Sequence, residues 1–275
     1  MISIPSNPDL PDPNVSLQKP NSILPDLPPI DEYGSPLPQL LSEPRSCQAG
    51  WGLSWLTKAF TMFKEQFLLW LGIGVVYLII LMVGSFVPVI NLIFSFITFV
   101  FIGGIILGCD AQATGRELRF DHLFSAFNTH LLPLVVLFLL YLVAVIVAII
   151  PMMIVFGGMT MMWAQQPSDG AIMGILLGVL LALLLLVPAL MAIWFAPALI
   201  VLHNVSPVEA MKMSFKGCLK NTLPFLVFGL VGPIVMILIA IFNLGLGVLV
   251  LLPIGIITYY TSYRDVWTDQ PLSAT

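Results

Sequence analysis

From Phe67 onward the chain falls into long stretches free of Asp, Glu, Lys, Arg and His: Phe67 to Phe86, Val89 to Gly108, Leu131 to Phe156, Ala171 to Leu202, Thr222 to Phe242 and Leu244 to Tyr260. A hydrocarbon core of about 30 Å is crossed by about 20 apolar residues in helical form, so the pattern predicts six transmembrane helices. The fourth stretch has 32 residues and would extend about 48 Å at 1.5 Å per residue. It has to tilt or break, and Pro197 is the expected place.

Just ahead of the first, third and fifth stretches lies a short segment with polar and apolar positions at helical spacing. The first sets Trp55, Leu56, Ala59, Phe60, Phe63 and Phe67 on one face and Thr57, Lys58, Thr61 and Lys64 on the other. The second carries Phe120, Leu123, Phe124, Phe127 and Leu131. The third opens Ser206-Pro207-Val208-Glu209, the pattern of a capping box with proline at the first helical position. It then sets Val208, Met211, Phe215 and Leu219 beside a cationic stripe of Lys212, Lys216 and Lys220. The predicted fold class is all-α: a polytopic membrane protein with six transmembrane helices in three repeats, each an amphipathic interfacial helix plus a helical hairpin.

Composition agrees. Charged residues make up 9% and hydrophobic ones 59%, with mean hydropathy +1.04, against about 25% charged in soluble domains. This excludes a soluble enzyme, a basic nucleic-acid binder and, with 3 Cys, a disulfide-stapled secreted domain. Residues 1–46 differ from the rest, holding 11 of the 22 prolines, 6 of the 14 acids and 2 of the 10 bases. They read as a disordered Pro-rich acidic cytoplasmic tail without the basic and apolar regions of a secretory signal. A polyproline II segment of this kind can dock a groove-bearing partner, although a solvated leader is the simpler reading. The expected domains are this tail, a six-helix membrane domain over 47–267 and a short cytoplasmic C-terminal tail over 268–275.

The turns around Pro88 and Asn243 and the segment from Gly157 to Gly170 contain no Lys or Arg, so all ten bases lie on the opposite side. The positive-inside rule then puts both termini in the cytoplasm of a bacterial inner (plasma) membrane, with Asp169 the only formal charge outside. Cys47, Cys109 and Cys218 fall on the cytoplasmic face without metal-ligand spacing and are expected as free thiols. Lys58, Lys64, Arg116, Arg119, Lys212, Lys216, Lys220 and Arg264 are candidates for anionic phospholipid headgroups, each base worth on the order of 1 kcal/mol near an acidic leaflet. Positive-inside bias by itself also accounts for them.

Several local strings carry a resemblance: Gly50-Trp51, Phe120-Asp121-His122-Leu123-Phe124, Trp194-Phe195-Ala196-Pro197-Ala198, Glu209-Ala210 with Ser214-Phe215, Leu223-Pro224-Phe225-Leu226 and Ser262-Tyr263-Arg264-Asp265. Together they resemble an uncharacterised bacterial six-helix inner-membrane family over roughly Cys47 to Trp267. The segment order is also similar in architecture to the membrane domain attached to some glycerophosphodiester phosphodiesterases. The soluble catalytic barrel of those enzymes has no counterpart in the sequence, so the resemblance implies fold and location and no activity.

The six stretches hold no ionisable group, which argues against an ion-coupled pump. A path lined by Asn91, Ser95, Thr98 and the Gly103-Gly104 and Gly157-Gly158 pairs keeps a small-solute or lipid transporter or channel open as the alternative. Five methionines between 152 and 162 could pass Cu(I), but they read as flexible packing residues. Asp121, His122 and His130 read as interfacial polar groups, and the GxxxG spacings Gly104/Gly108 and Gly174/Gly178 as internal packing. No catalytic site, cofactor or metal site is predicted. The expected role is non-enzymatic: interaction or envelope maintenance, engaging the phospholipid bilayer and membrane or cytoplasmic protein partners at the cytoplasmic face, and not nucleic acid.

Overall fold

The structure is a computed structural model that describes residues 30, 34, 36–85, 88–165, 169–242 and 247–272, the side chains at 85–94, 152, 155–156, 158–172, 175, 182, 236, 239–246 and 248 excepted. The chain divides into two compact units, Met1–Leu37 and Pro38–Thr275. Most of the first unit, and with it most of the expected tail, lies outside the described residues; within it Ile30 and Pro36 form an isolated bridge.

The second unit is all-helical. Its order is α1 (Trp51–Glu65), α2 (Phe67–Ser85), α3 (Pro88–Ala113), α4 (His122–Thr129), α5 (Leu131–Gln165), α6 (Asp169–Trp194), α7 (Ala196–His203), α8 (Pro207–Lys220), α9 (Thr222–Phe242) and α10 (Gly247–Trp267). Four segments among the described residues are long and apolar enough to cross a membrane: Phe67–Gly84, Ser95–Ala113, Leu131–Pro151 and Leu176–His203. A fifth follows if α8 and α9, bent by 82° where they meet, count as one span. α10 is not among them, because Thr258, Thr261, Ser262, Arg264 and three tyrosines give its C-terminal half a polar character.

Two local expectations change. The segment from Gly157, expected as an outer loop, continues as α5 to Gln165. Gly157 and Gly158 cost a helix only about 1 kcal/mol each, and no proline follows Pro151 in this helix. The boundary at Cys47 also shifts, because residues 38–46 join the helical unit instead of belonging to the tail. The Leu41 amide donates to the Trp267 carbonyl (2.9 Å), the Arg45 amide to Val266 (2.8 Å) and the Asp269 amide to Gln39 (3.1 Å), around a bridge between Leu40 and Thr268. Extended backbone with free N–H groups is stable here because the 266–269 segment supplies acceptors.

The long fourth stretch breaks where a proline was expected to break it. Pro197 has no N–H to continue the ladder, and the helix interrupts at Phe195, between α6 and α7. The agent of the break comes from α8. The Ser214 hydroxyl accepts from the Phe195 amide (2.9 Å) and donates to the Met191 carbonyl (2.7 Å). Those two backbone groups would pair with each other in a straight helix, so the hydroxyl inserts into that bond and satisfies both halves.

α3 is the most enclosed of the apolar segments: Ser95–Ala113 is 56% buried, against 12% for Leu176–His203. It contacts α2, α4, α5, α7 and α10. A Cβ at Gly104 would stand 2.5 Å from the carbonyl oxygens of both His122 and Leu123, so α4 lies on the bare backbone of α3. The Gly104/Gly108 spacing therefore serves packing inside the chain. A Cβ at Gly103 would stand 2.7 Å from Leu134 and 3.1 Å from Val201, so this glycine is packed as well; Asn91 and Gly158 have side-chain positions outside the described set.

Removing the Ser214 hydroxyl leaves the Phe195 amide and Met191 carbonyl facing each other across a void. Ser214→Ala is expected to lower stability by about 1–3 kcal/mol in detergent unfolding, whereas Thr57→Ala, on an exposed hydroxyl, stays within about 0.5 kcal/mol. Equal losses for the two variants would contradict the inserted-hydroxyl account.

Candidate functional site

Of the short helices, α8 is built with three faces. Ala210, Ser214, Gly217 and Cys218 are buried against the protein, small residues that let it approach α6 and α7 closely. Val208, Phe215 and Leu219 point away from the protein and are exposed, as are Leu223, Leu226 and Leu230 that continue them along α9. Lys212, Lys216 and Lys220 are exposed on the same helix. Of the apolar row expected beside the lysines, Val208, Phe215 and Leu219 face outward, while Met211 packs partly against the core; the small residues on the neighbouring side allow the tighter packing. Ser206 caps α8 only by its backbone and makes no side-chain cap bond. The predicted capping box does not form; Glu209 instead pairs with Lys212 at 3.3 Å.

The eight candidate cations divide into two groups. Lys64 is exposed and lies 5.2 Å over the Phe60 ring. Arg119 pairs with Asp121 (2.8 Å), Arg116 with Asp110 (2.8 Å) and Lys216 with Glu43 (2.6 Å), all at the surface to varying degrees. Lys58 and Arg264, by contrast, are turned inward and are not part of an exposed stripe. The Lys58 side chain is 9% exposed and its ammonium is 2.7 Å from Asp265, whose side chain is fully buried. Arg264 donates to the Tyr260 hydroxyl (2.7 Å) and to the Gln270 carbonyl (3.0 Å).

These inward cations belong to a buried polar layer where α1, α3 and α10 meet. The Tyr260 hydroxyl donates a hydrogen bond to Asp110 (3.0 Å), which also holds Arg116. Thr261 donates to the Trp55 carbonyl (2.9 Å), fixing α1 across α10. Asn221, fully buried at the bend between α8 and α9, accepts from the Cys47 amide (2.7 Å) and donates to the Arg45 and Gly217 carbonyls (2.9 Å each). Trp70 donates to Gln112 (2.8 Å), whose amide reaches the Met62 carbonyl and Glu65. Burial raises the Asp265 carboxyl above its ordinary range, and the Lys58 ammonium works against that shift. Burial also pushes the Cys47 thiol up from 9 to about 12.

The histidines do not assemble into a reactive pair. The Arg119 amide donates to His122 Nδ1 (3.0 Å), while His130 Nε2 meets Asn204 Oδ1 (3.0 Å) and His203 bonds the Tyr263 hydroxyl. Asp121, sequence neighbour of His122, is held by Arg119 instead. Among the described residues no three His, Cys, Asp or Glu side chains gather as a metal-binding group. Of the five methionines in the 152–162 segment, only Met153 has a described side chain, and it is exposed. All three cysteines are free and buried.

Sequence reasoning missed Ser214, Asn221 and Asp265 as organising residues. Asp265 carried the one available signal, a carboxylate placed directly after a long apolar stretch and beside Arg264. No family model, no curated protein and no solved structure matches the chain.

Removing one partner of a buried ion pair leaves an uncompensated charge and costs about 3–5 kcal/mol, whereas an apolar pair of similar volume is often neutral. Lys58→Met is therefore expected to destabilise strongly in detergent unfolding, and adding Asp265→Leu to recover most of the loss. A double variant no better than the single would refute the coupling. The thiols supply a second check. With Cys47 held protonated, N-ethylmaleimide at neutral pH is expected to leave the folded protein unmodified over the minutes in which the denatured chain reacts at three sites. Because the folded thiol binds its proton more tightly than the unfolded one, stability falls as pH rises from about 9 to about 12.

Proposed function

We propose that the chain is a multi-pass inner-membrane protein of non-enzymatic function whose short helices form a collar at the cytoplasmic headgroup layer and engage anionic lipids and protein partners there. In this reading α1, α4 and α8 each introduce one helical hairpin, so the chain comprises three repeats and six spans, α10 and the α8–α9 bend included. Both termini lie in the bacterial cytoplasm. The six-helix inner-membrane family noted from the sequence strings belongs to the same reading.

The observation that carries it is the outward face of α8. Exposed Val208, Phe215 and Leu219 run into exposed Leu223, Leu226 and Leu230, with Lys212, Lys216 and Lys220 beside them. An apolar row continuous with a span and flanked by cations fits the boundary between acyl chains and acidic headgroups. Lys64 over the exposed Phe60 ring supports it, as do exposed Phe67 and Phe120, which are near neighbours in sequence of Lys64 and Arg119. Arg116 belongs at the edge of this set, while Lys58 and Arg264 serve the interior.

The test has two arms. Accessibility reporters at Gln165 and Arg116 are expected on opposite sides of the membrane; placement in one compartment would sink the topology. In vesicles of phosphatidylcholine with increasing phosphatidylglycerol, replacing Lys64, Arg119, Lys212, Lys216 and Lys220 with Gln is expected to remove about 1 kcal/mol of anionic-lipid preference per charge. Unchanged co-purified lipids and partners in the fivefold variant would defeat the collar.

A further inference from the structure

One exposed contact on α8 differs in kind from the others. Lys216 is engaged by Glu43, which belongs to the 38–46 segment and not to any helix. The ammonium stands 2.6 Å from both carboxylate oxygens. Lys220, one turn further along α8, adds to the field that holds the Glu43 carboxyl below its ordinary range. Both side chains of the pair are more than half exposed, Lys216 at 56% and Glu43 at 60%.

The position of Glu43 is imposed by its neighbours. On one side the Leu41 amide is fixed to Trp267, and on the other the Arg45 amide is fixed to Val266 while its guanidinium donates to the Thr268 carbonyl (3.0 Å). Asn221 holds the Arg45 carbonyl from the α8–α9 bend. The strap is thus tied on both sides of a single carboxylate, which is set on Lys216 with Lys220 one turn away. A carboxylate with two oxygens on a lysine presents the same charge and acceptor geometry as two oxygens of a phosphodiester. Next to this point the exposed Phe215, Leu219 and Leu223 supply an acyl-chain surface.

We infer that Lys216 and Lys220 form a headgroup site for an anionic phospholipid, and that Glu43 is its built-in competitor, occupying the site until lipid phosphate displaces it. The inference rests on the collar reading and adds a site, an occupant and a regulator to it. Its distinguishing consequence is one of sign: removing a negative charge at Glu43 increases lipid binding, and does so only through Lys216 and Lys220.

The experiment uses the full chain in neutral detergent, titrated with short-chain phosphatidylglycerol, phosphatidylcholine or inorganic phosphate, with lipid occupancy read by native mass spectrometry. Glu43→Gln is expected to tighten phosphatidylglycerol binding by about two- to fivefold, the range of an exposed ion pair. It is expected to change nothing in the Lys216→Gln/Lys220→Gln background. Tightening that persists in that background, or no tightening in the otherwise unaltered chain, would overturn the site. Inorganic phosphate that competes as well as the lipid would overturn the lipid occupant in favour of a soluble anion. If phosphatidylglycerol is preferred over phosphatidylcholine and the Lys216→Gln/Lys220→Gln variant weakens that preference while Glu43→Gln leaves it unchanged, the collar stands and this site falls. If no preference exists at all, both fall. Thermal unfolding of Glu43→Gln without lipid, expected close to that of the parent protein, separates a binding effect from a folding one.

Discussion

A carboxylate without solvent access has to be met by a cation, and Asp265 is met by Lys58. Most of the observed architecture is arranged around that requirement. The pair fixes where α1 crosses α10, and the Thr261 bond to the Trp55 carbonyl repeats the constraint one turn away. A second chain of contacts through Arg264, Tyr260, Asp110 and Arg116 ties α10 to the end of α3 at the same level. Along their apolar lengths the long helices also pack through small residues, as at Gly103 and Gly104. Among the described residues, the ion pairs are concentrated where the short helices pack near the ends of α3 and α10.

That concentration separates two kinds of surface. The outer lengths of α5 and α6 expose Leu139, Val143, Ile146, Leu180, Leu184 and Val187, side chains for which hydrocarbon is the natural solvent. The other end presents three short helices with ion pairs and aromatic rings. Lys58 and Asp265 neutralise each other inside, whereas Lys64, Arg119, Lys212, Lys216 and Lys220 stay exposed. Lys58 and Arg264 would have doubled as surface charges had they been free; instead they stabilise the junction that presents the others.

The sequence pattern reveals the apolar helices well because long uninterrupted runs leave little choice in a low-dielectric solvent. It reveals the break at Phe195 through Pro197, but not Ser214, since the hydroxyl that completes the break arrives from another helix and no local periodicity encodes it. Lys58 was misplaced for a related reason. Its position is on the polar side of α1, yet its flexible stem turns toward a carboxylate 207 residues away in sequence. The Ser206–Glu209 motif is present in letters and absent in bonds, because Lys212 offers Glu209 a charged partner one turn along. Proline density at 36–44 concealed a segment whose remaining amides at Leu41 and Arg45 find acceptors far downstream.

The pairing of residues 38–46 with 266–269 also sets an order of events. Gln39 and Asp269 are separated by 230 positions, and at synthesis rates of about 5–20 residues per second the first waits roughly 10–50 s for the second. The last stitch of assembly therefore joins the earliest described segment of the helical unit to one of its latest, and a chain that stops before residue 266 keeps the Asn221 hold on Arg45 but lacks the Val266 and Trp267 carbonyls that fix the backbone on either side of Glu43.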